Sequence, residues 1–260
     1  MKKLIIIIVS IFMLISVTSC QNNKSYIGIV SAMDNEISLL LDETKIEEEK
    51  SIGEYKFYVG ELKNKPVVIF RSGIGKIYAS SAVTTLFNNF NISKLIFTGI
   101  AGGIRDDENV LDEVIGTCII EHDYGFVTND GFVWGGGDPG KKEPGEYYYC
   151  DKDLVNLAYE SAVSTINNHN VFKGLIATGD QFISSSDYVK MLNDNYNAYA
   201  CEMEGAAVAK ICQLYKKPFV VLRTLSDKAD GEAHDSYQNF GDDAADQSCK
   251  IVLKMFETIN

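Results

Sequence analysis

The sequence predicts an α/β fold, with a parallel or mixed β-sheet between layers of helices, and three observations carry that expectation. Strand-like apolar runs alternate with helix-like segments along the chain, as they do when helices cover both faces of a sheet. Several runs, such as Pro218-Phe219-Val220-Val221-Leu222, are apolar at consecutive positions rather than alternate ones. Strands buried on both faces require this. No internal repeat, low-complexity tract or interdomain linker breaks the pattern from residue 26 onward, so one domain with a sizeable core is expected.

The first residues are of a different kind. Lys2 and Lys3 precede an almost wholly apolar stretch, Leu4 to Val17, which ends in Val17-Thr18-Ser19-Cys20. A charged start, a short apolar segment and small residues describe a secretory signal, and the stretch is short for a membrane span. Its ending resembles a bacterial lipobox, in which the cysteine becomes the lipidated first residue. An uncleaved N-terminal anchor is the alternative. Both readings place the protein outside the cytoplasm and tethered to a membrane. Residues 1–19 are therefore read as signal, 20–25 as lipidated Cys20 and a polar tether, and 26–260 as the folded domain.

The elements follow in order. Tyr26–Ser31 is a buried strand, and Asn35–Leu41 a helix whose first turn Asp34 and Asn35 should cap. The Lys/Glu run at 45–50 reads as a solvated face. Tyr55–Val59 and Val67–Arg71 are strands. Arg71-Ser72-Gly73-Ile74-Gly75-Lys76 lacks the GxxxxGK[ST] spacing of a phosphate loop, and reads as a glycine turn entering a helix over Ile77–Asn89. Strands follow at Lys94–Thr98 and Val114–Ile120. His122–Tyr149 is rich in Gly and aromatics and holds the lone Trp134; so long a loop is expected to act as a pocket wall or lid. Helices at Lys152–Asn168, Ser186–Asn193, Gly205–Leu214 and Asp242–Thr258 alternate with strands at Gly174–Thr178, Ala198–Cys201 and Pro218–Arg223.

Composition narrows the functions. An apolar content of 46% and a charged content of 23% are ordinary for a globular chain. A formal charge of −12 repels nucleic acid. The only arginines are Arg71, Arg105 and Arg223, too few for many phosphate clamps. Six cysteines include no CxxC pair, so neither a zinc site nor an essential disulfide is expected. Several lie in apolar surroundings and read as core residues.

In sheets of this kind ligands bind beyond the carboxyl ends of the strands. There the sequence gathers Ala32-Met33-Asp34-Asn35-Glu36, Gly99-Ile100-Ala101-Gly102-Gly103, Gly179-Asp180-Gln181-Phe182, Glu202-Met203-Glu204-Gly205 and Ser226-Asp227. Glu202 and Glu204 should share one face of an extended segment, with Met203 on the other. Carboxylates beside buried strand ends mark a functional site, although helix-start charge complementarity would account for the pair in structural terms. Ser226-Asp227 would serve as a helix cap, or, placed deep, as a proton donor with a raised pKa. The glycines of 99–103 let backbone approach a ligand closely. His169 and His234 read as surface residues.

Taken together, IGIVSAMDNEISLL, RSGIGK, TGIAGG, GLIATGDQFI, CEMEGAAVA and VVLRTLSDKAD resemble, in order, the 5′-methylthioadenosine/S-adenosylhomocysteine nucleosidases of the purine nucleoside phosphorylase-like superfamily. The resemblance runs from about residue 26 to the C-terminus. It implies a three-layer sandwich with a mixed central sheet, hydrolysis of the N-glycosidic bond of 5′-substituted adenosines, a homodimer and no cofactor or metal. It implies that Glu36 works on the attacking water, Glu204 holds the ribose hydroxyls, Asp227 protonates the purine N7, and Arg223 lies close to water and ribose. It further implies that Phe182 stacks on adenine and Ile183 contacts it through backbone. Ala32, Met33, Met203 and Tyr237 would line the ribose and 5′ pocket, with Ile100, Ala101, Gly102, Glu202 and Ser226 also at the site. Three features depart from the family pattern: Ile100 replaces a hydroxyl residue, Gly135–Gly140 is inserted, and the signal is of lipoprotein type. A phosphate-dependent phosphorylase and a nucleoside-binding lipoprotein without turnover are the competing readings.

Overall fold

The structure, a computed structural model, describes residues 24–135 and 145–259. The expected signal, Cys20 and most of the Gly135–Gly140 insertion lie outside the described residues.

The chain opens with strand β1 (Tyr26–Ser31), helix α1 (Asn35–Asp42), and strands β2 (Thr44–Ile52), β3 (Tyr55–Leu62) and β4 (Lys65–Arg71). Helix α2 (Lys76–Asn89) leads to β5 (Ile92–Phe97), β6 (Ile100–Gly103), β7 (Glu113–Glu121), β8 (Gly125–Thr128), β9 (Gly131–Trp134) and β10 (Tyr147–Tyr149). Then come α3 (Lys152–Thr165), β11 (Val171–Thr178), α4 (Ser186–Tyr196), β12 (Ala198–Glu202), α5 (Gly205–Leu214), β13 (Phe219–Asp227) and α6 (Ala233–Met255).

One sheet runs in the order β10-β7-β11-β12-β6-β13-β5-β1-β4-β3-β2, and β7 pairs a second time with β13. That extra pairing closes β7, β11, β12, β6 and β13 into a ring, from which β5, β1, β4, β3 and β2 extend as an open arm. Pairing is mixed: β1–β4, β1–β5, β5–β13 and β11–β12 are parallel, while β7–β13, β6–β12, β2–β3 and β3–β4 are antiparallel. Helix α6 packs on α1, α3 and β13, and α2 packs on α5, so helices cover the sheet in two groups. The α/β sandwich with a mixed central sheet is the one the sequence predicts. All nine residues of β13 are buried, because the strand has neighbours on both edges and helices above and below. Its continuous apolar run follows from that position.

Differences from the predicted elements are local. The 45–50 run is solvated, yet it forms the edge strand β2, whose Glu47, Glu48 and Glu49 are exposed; charge on an edge discourages pairing with other chains. Helix α3 starts at an Asp151 cap that accepts from the N–H groups of Asp153 and Leu154 and ends at Thr165, because Ile166 turns extended. Helix α6 begins at Ala233, nine residues before the predicted Asp242, and its first turns are polar and largely exposed. A hydrophobic period cannot reveal such turns. Asp34 does not cap α1 through its side chain: its carboxylate pairs with Arg71 at 3.1 Å, and Asn35 donates to Asp242 at 2.9 Å. Among the described residues no helix is long and apolar enough to cross a membrane.

Candidate active site

Five strand ends, those of β1, β5, β11, β12 and β13, meet around a cavity of about 400 Å³. Three carboxyl groups face it, and each is held by short local contacts.

Glu36 lies in the first turn of α1 and is 3% exposed. Its Oε2 accepts the Met33 N–H at 2.7 Å and its Oε1 the Ile100 N–H at 3.0 Å. Burial raises its pKa, while the Arg223 charge and those two N–H groups oppose the rise. The loop after β5 must pass very close: a Cβ on Gly99 would sit 2.6 Å from Glu36 Oε1, so only glycine fits.

Glu204 sits at the junction of β12 and α5. Its Oε1 accepts the Gly75 N–H at 2.7 Å. Burial, then the nearby Glu202 charge, push its pKa up to about 8. The RSGIGK turn is thus the glycine turn expected, with the added task of holding this carboxyl. Gly73 and Gly75 adopt φ of 90° and 95°, which strains any residue with a side chain.

Asp227 closes β13 and is 3% exposed. Its Oδ2 accepts the Ser226 hydroxyl at 2.8 Å, and its Oδ1 accepts the Ala229 N–H at 2.7 Å. Burial raises its pKa against both contacts. Ser226 and Asp227 lie inside a strand, so neither caps a helix. A Cβ on Gly102 would fall 2.9 Å from Asp227 Oδ1 and 2.8 Å from the Ala229 side chain. Here too glycine lets the chain come close.

The cavity wall also contains Ala32, Met33, Ile100, Ala101, Gly102, Phe182, Ile183, Glu202, Met203, Ser226 and Tyr237. Phe182 is 53% exposed and meets Tyr237 edge-on at 6.3 Å between ring centroids. A half-exposed aromatic face at a cavity mouth is a platform on which a planar ring can stack. The Tyr237 hydroxyl points at Met33 Sδ, 3.7 Å away.

Some sequence-based expectations need correction here. Arg223 does not line the cavity. It lies beneath the wall at 1% exposure, paired with Glu202 at 2.7 Å and stacked 4.0 Å above the Phe97 ring centre. Nor do Glu202 and Glu204 act as a matched pair with Met203 turned away, because β12 ends at Glu202 and the alternation stops there. Glu202 turns its carboxylate onto the N–H groups of Glu204 and Gly205 at the start of α5, onto the Thr178 hydroxyl and onto Arg223. All its strong partners are internal, and its pairing keeps the Arg223 charge compensated in the core.

The described residues of the His122–Tyr149 segment do not reach the cavity. They form the β8–β9 hairpin and β10, and Trp134 packs on Tyr196 and Tyr147. Ile74, Gln181, Cys201 and His234 also line the cavity, although the sequence reading assigned none of them a site role. His234, read as a surface residue, is exposed and also stands at the mouth, because α6 begins early. Among the described residues no group of His, Cys, Asp and Glu could hold a metal ion.

The profile of the phosphorylase superfamily matches residues 26–257. A 5′-methylthioadenosine/S-adenosylhomocysteine nucleosidase of Bacillus thuringiensis (strain Al Hakam) is 38% identical over 237 residues, covering 90% of this chain and 99% of the relative. The chain belongs to this nucleosidase family. Among solved structures, the Neisseria meningitidis nucleosidase in complex with methylthio-immucillin-A superposes with a TM-score of 0.79 at 35% identity, covering 89% of this chain and 98% of that one. Futalosine hydrolase of Helicobacter pylori superposes with a TM-score of 0.81 at 32% identity, covering 91% and 99%. Nucleosidase architecture therefore extends over nearly all of the described chain.

Proposed function

We propose that the protein hydrolyses the N-glycosidic bond of 5′-methylthioadenosine, S-adenosylhomocysteine and related 5′-substituted adenosines, releasing adenine and the 5′-thioribose product. One observation carries the reading. Three buried carboxyl groups, Glu36, Glu204 and Asp227, converge on one cavity whose described lining contains no lysine or arginine.

Glycosidic cleavage needs a proton delivered to the leaving base, negative charge near the sugar as it becomes cationic, and an activated water. Asp227, which burial favours in its protonated form, donates to N7 of adenine. Each of its oxygens has one contact, which leaves room for that proton. Glu204 accepts the ribose hydroxyls and sets negative charge against the cationic sugar. Glu36 takes a proton from the attacking water; Arg223 and two backbone N–H groups favour the ionised form this requires. Phe182 stacks on the base. Arg223 acts through Glu202 and through its field at Glu36, without touching substrate. Each acid or base of this kind contributes roughly a hundred- to ten-thousand-fold.

A phosphorylase would have to place a phosphate dianion among these carboxyls with no cation in the described wall, against the usual chemistry of phosphate sites. Adenine release at the same rate with and without phosphate is expected, and strict phosphate dependence would overturn the hydrolase reading. The same reading includes a homodimer and a lipid anchor at Cys20 outside the cytoplasm. Solution mass checks the first, and fatty-acid incorporation that is lost in Cys20→Ala checks the second.

A further inference from the structure

The aim of the Glu36 carboxylate depends on the loop that supplies the Ile100 N–H, so what fixes that loop bears on the chemistry. Thr98 N–H donates to Val30 O at 3.1 Å, Thr98 O accepts the Ser31 hydroxyl at 2.6 Å, and Gly99 O accepts the Thr224 N–H at 3.0 Å. The Gly99 N–H, one residue before the donor that serves Glu36, finds its partner on a distant element. It donates to Ser248 Oγ of α6 at 3.1 Å, and the same oxygen is hydrogen-bonded to the Thr98 hydroxyl.

Ser248 is 0% exposed, on a face of α6 made otherwise of Ala244, Ala245, Cys249, Ile251 and Val252. A hydroxyl on a buried apolar face is costly unless it has partners. Hydroxyls within helices commonly return to a carbonyl of their own helix. Ser38, Thr85 and Thr165 do so here, bonding to Asn35 O, Ser81 O and Ser161 O. The bonds of Ser248 run outward to the loop instead. Its neighbour Cys249 donates to the main-chain oxygen of Glu36 at 3.0 Å. Consecutive residues of α6 thus grip both parts of one arrangement, the backbone that carries Glu36 and the loop that aims its carboxylate.

We propose that Ser248 is a positioning residue for hydrolysis, which acts through Gly99 to set the Ile100 N–H against Glu36 and so keeps that carboxylate aimed at the attacking water. The inference rests on the reading of Glu36 as the base. Loss of the Ser248 hydroxyl leaves the Gly99 N–H and the Thr98 hydroxyl without this partner, and the Ile100 N–H then drifts from Glu36. That N–H group opposes the upward effect of burial on the Glu36 pKa, so loosening it moves the pKa further up. The other titratable groups about Glu36 are Arg223 on β13, Glu204 after β12, and Tyr237 and Cys249 on α6. A change at Ser248 leaves all of these side chains in the protein.

The test measures kcat and KM for adenine release across pH in the wild-type protein, in Ser248→Ala and in Ser248→Cys, whose sulfur is a weaker acceptor. In Ser248→Ala, kcat near neutral pH should fall about ten-fold or more with KM changed less than about two-fold. The acid limb of kcat should move to higher pH, so that the deficit narrows as pH rises. Ser248→Cys should lie between the two, and it carries the same comparison if the alanine variant does not fold. Thr44→Val is the control, since it removes another buried hydroxyl, bonded to Leu40 O at 2.6 Å at the opposite end of α1. A wild-type pH profile in the Ser248 variants, or an equal loss in Thr44→Val, would overturn the positioning role. Wild-type rates in Glu36→Gln, or no adenine release by the wild-type protein, would instead overturn the reading on which it rests.

Discussion

Asp227 and Glu36 are both buried carboxyls with raised pKa values, yet their neighbours separate their tasks. Asp227 has no cation among the influences on it, so burial favours its protonated form, the one fit to donate. Glu36 feels Arg223, which favours the charged form and a role as base. Asp227→Asn removes the proton donor with little change in shape, and should reduce turnover by roughly a hundred- to ten-thousand-fold while the fold persists by circular dichroism. Near-normal rates would mean a different acid. Glu36→Gln should lose hydrolysis yet still bind an unreactive adenosine analogue in calorimetry; loss of binding would give Glu36 a structural role instead. The stretches that hold Glu36, Glu204 and Asp227 were legible in the sequence because each follows an apolar run at a strand end, whereas Tyr237, carried on α6, was named only through the family resemblance. The partners of Glu202 and Arg223 were not, because an ion pair between β12 and β13 leaves no trace in local spacing. Ile100 was flagged for a missing hydroxyl, but its N–H serves Glu36, and any residue except proline supplies that donor.

At the scale of elements, the loops after β4 and β5 are cut to the carboxyls they hold. Gly99→Ala puts a methyl 2.6 Å from where Glu36 Oε1 now lies, and either the loop or the carboxylate must move. A displacement of this size should cost on the order of a hundred-fold in kcat, with KM changed far less. Equal losses in a distant control, such as an exposed residue of β2, would mean that general destabilisation is responsible. Element types were readable where burial is two-sided, as in β1, β5 and β13. They were missed where exposure removes the apolar signal, as in β2 and the first turns of α6. Strand β6 was hidden because four residues, Ile100 to Gly103, look like a glycine loop until β12 and β13 pair with them.

The whole molecule carries buried acids beyond the site. Glu113 is fully buried, accepts the Thr224 hydroxyl at 2.5 Å, and has its pKa pushed up to about 8 by burial; Glu108, 2% exposed, is pushed to about 7. Above pH 4.5 the unfolded chain ionises these groups while the folded chain keeps its protons. The folded state then binds more protons, and stability falls as pH rises from about 4.5 through 7 and 8. The melting temperature should drop between pH 5 and pH 8.5, and Glu113→Gln should make that drop smaller by about 5 °C or more. Parallel melting curves for the two proteins would rule out a buried neutral Glu113. Sequence showed this acid only as one letter ahead of a strand, since its burial depends on the pairing of β7 with β13 that closes the ring.

The cysteines have a consequence of a different kind. All five in the described chain are free and buried. Burial pushes Cys118 up to about 11 and Cys249 up to about 12, so reactive thiolate is scarce while the fold is closed. Cys249 donates to the main-chain oxygen of Glu36, and Cys201 to that of Gly102. Cys201 already stands in the cavity wall, whereas an alkylating reagent reaches the fully buried Cys249 only when α6 parts from α1, so its rate of uptake there is a clock for opening beside the site.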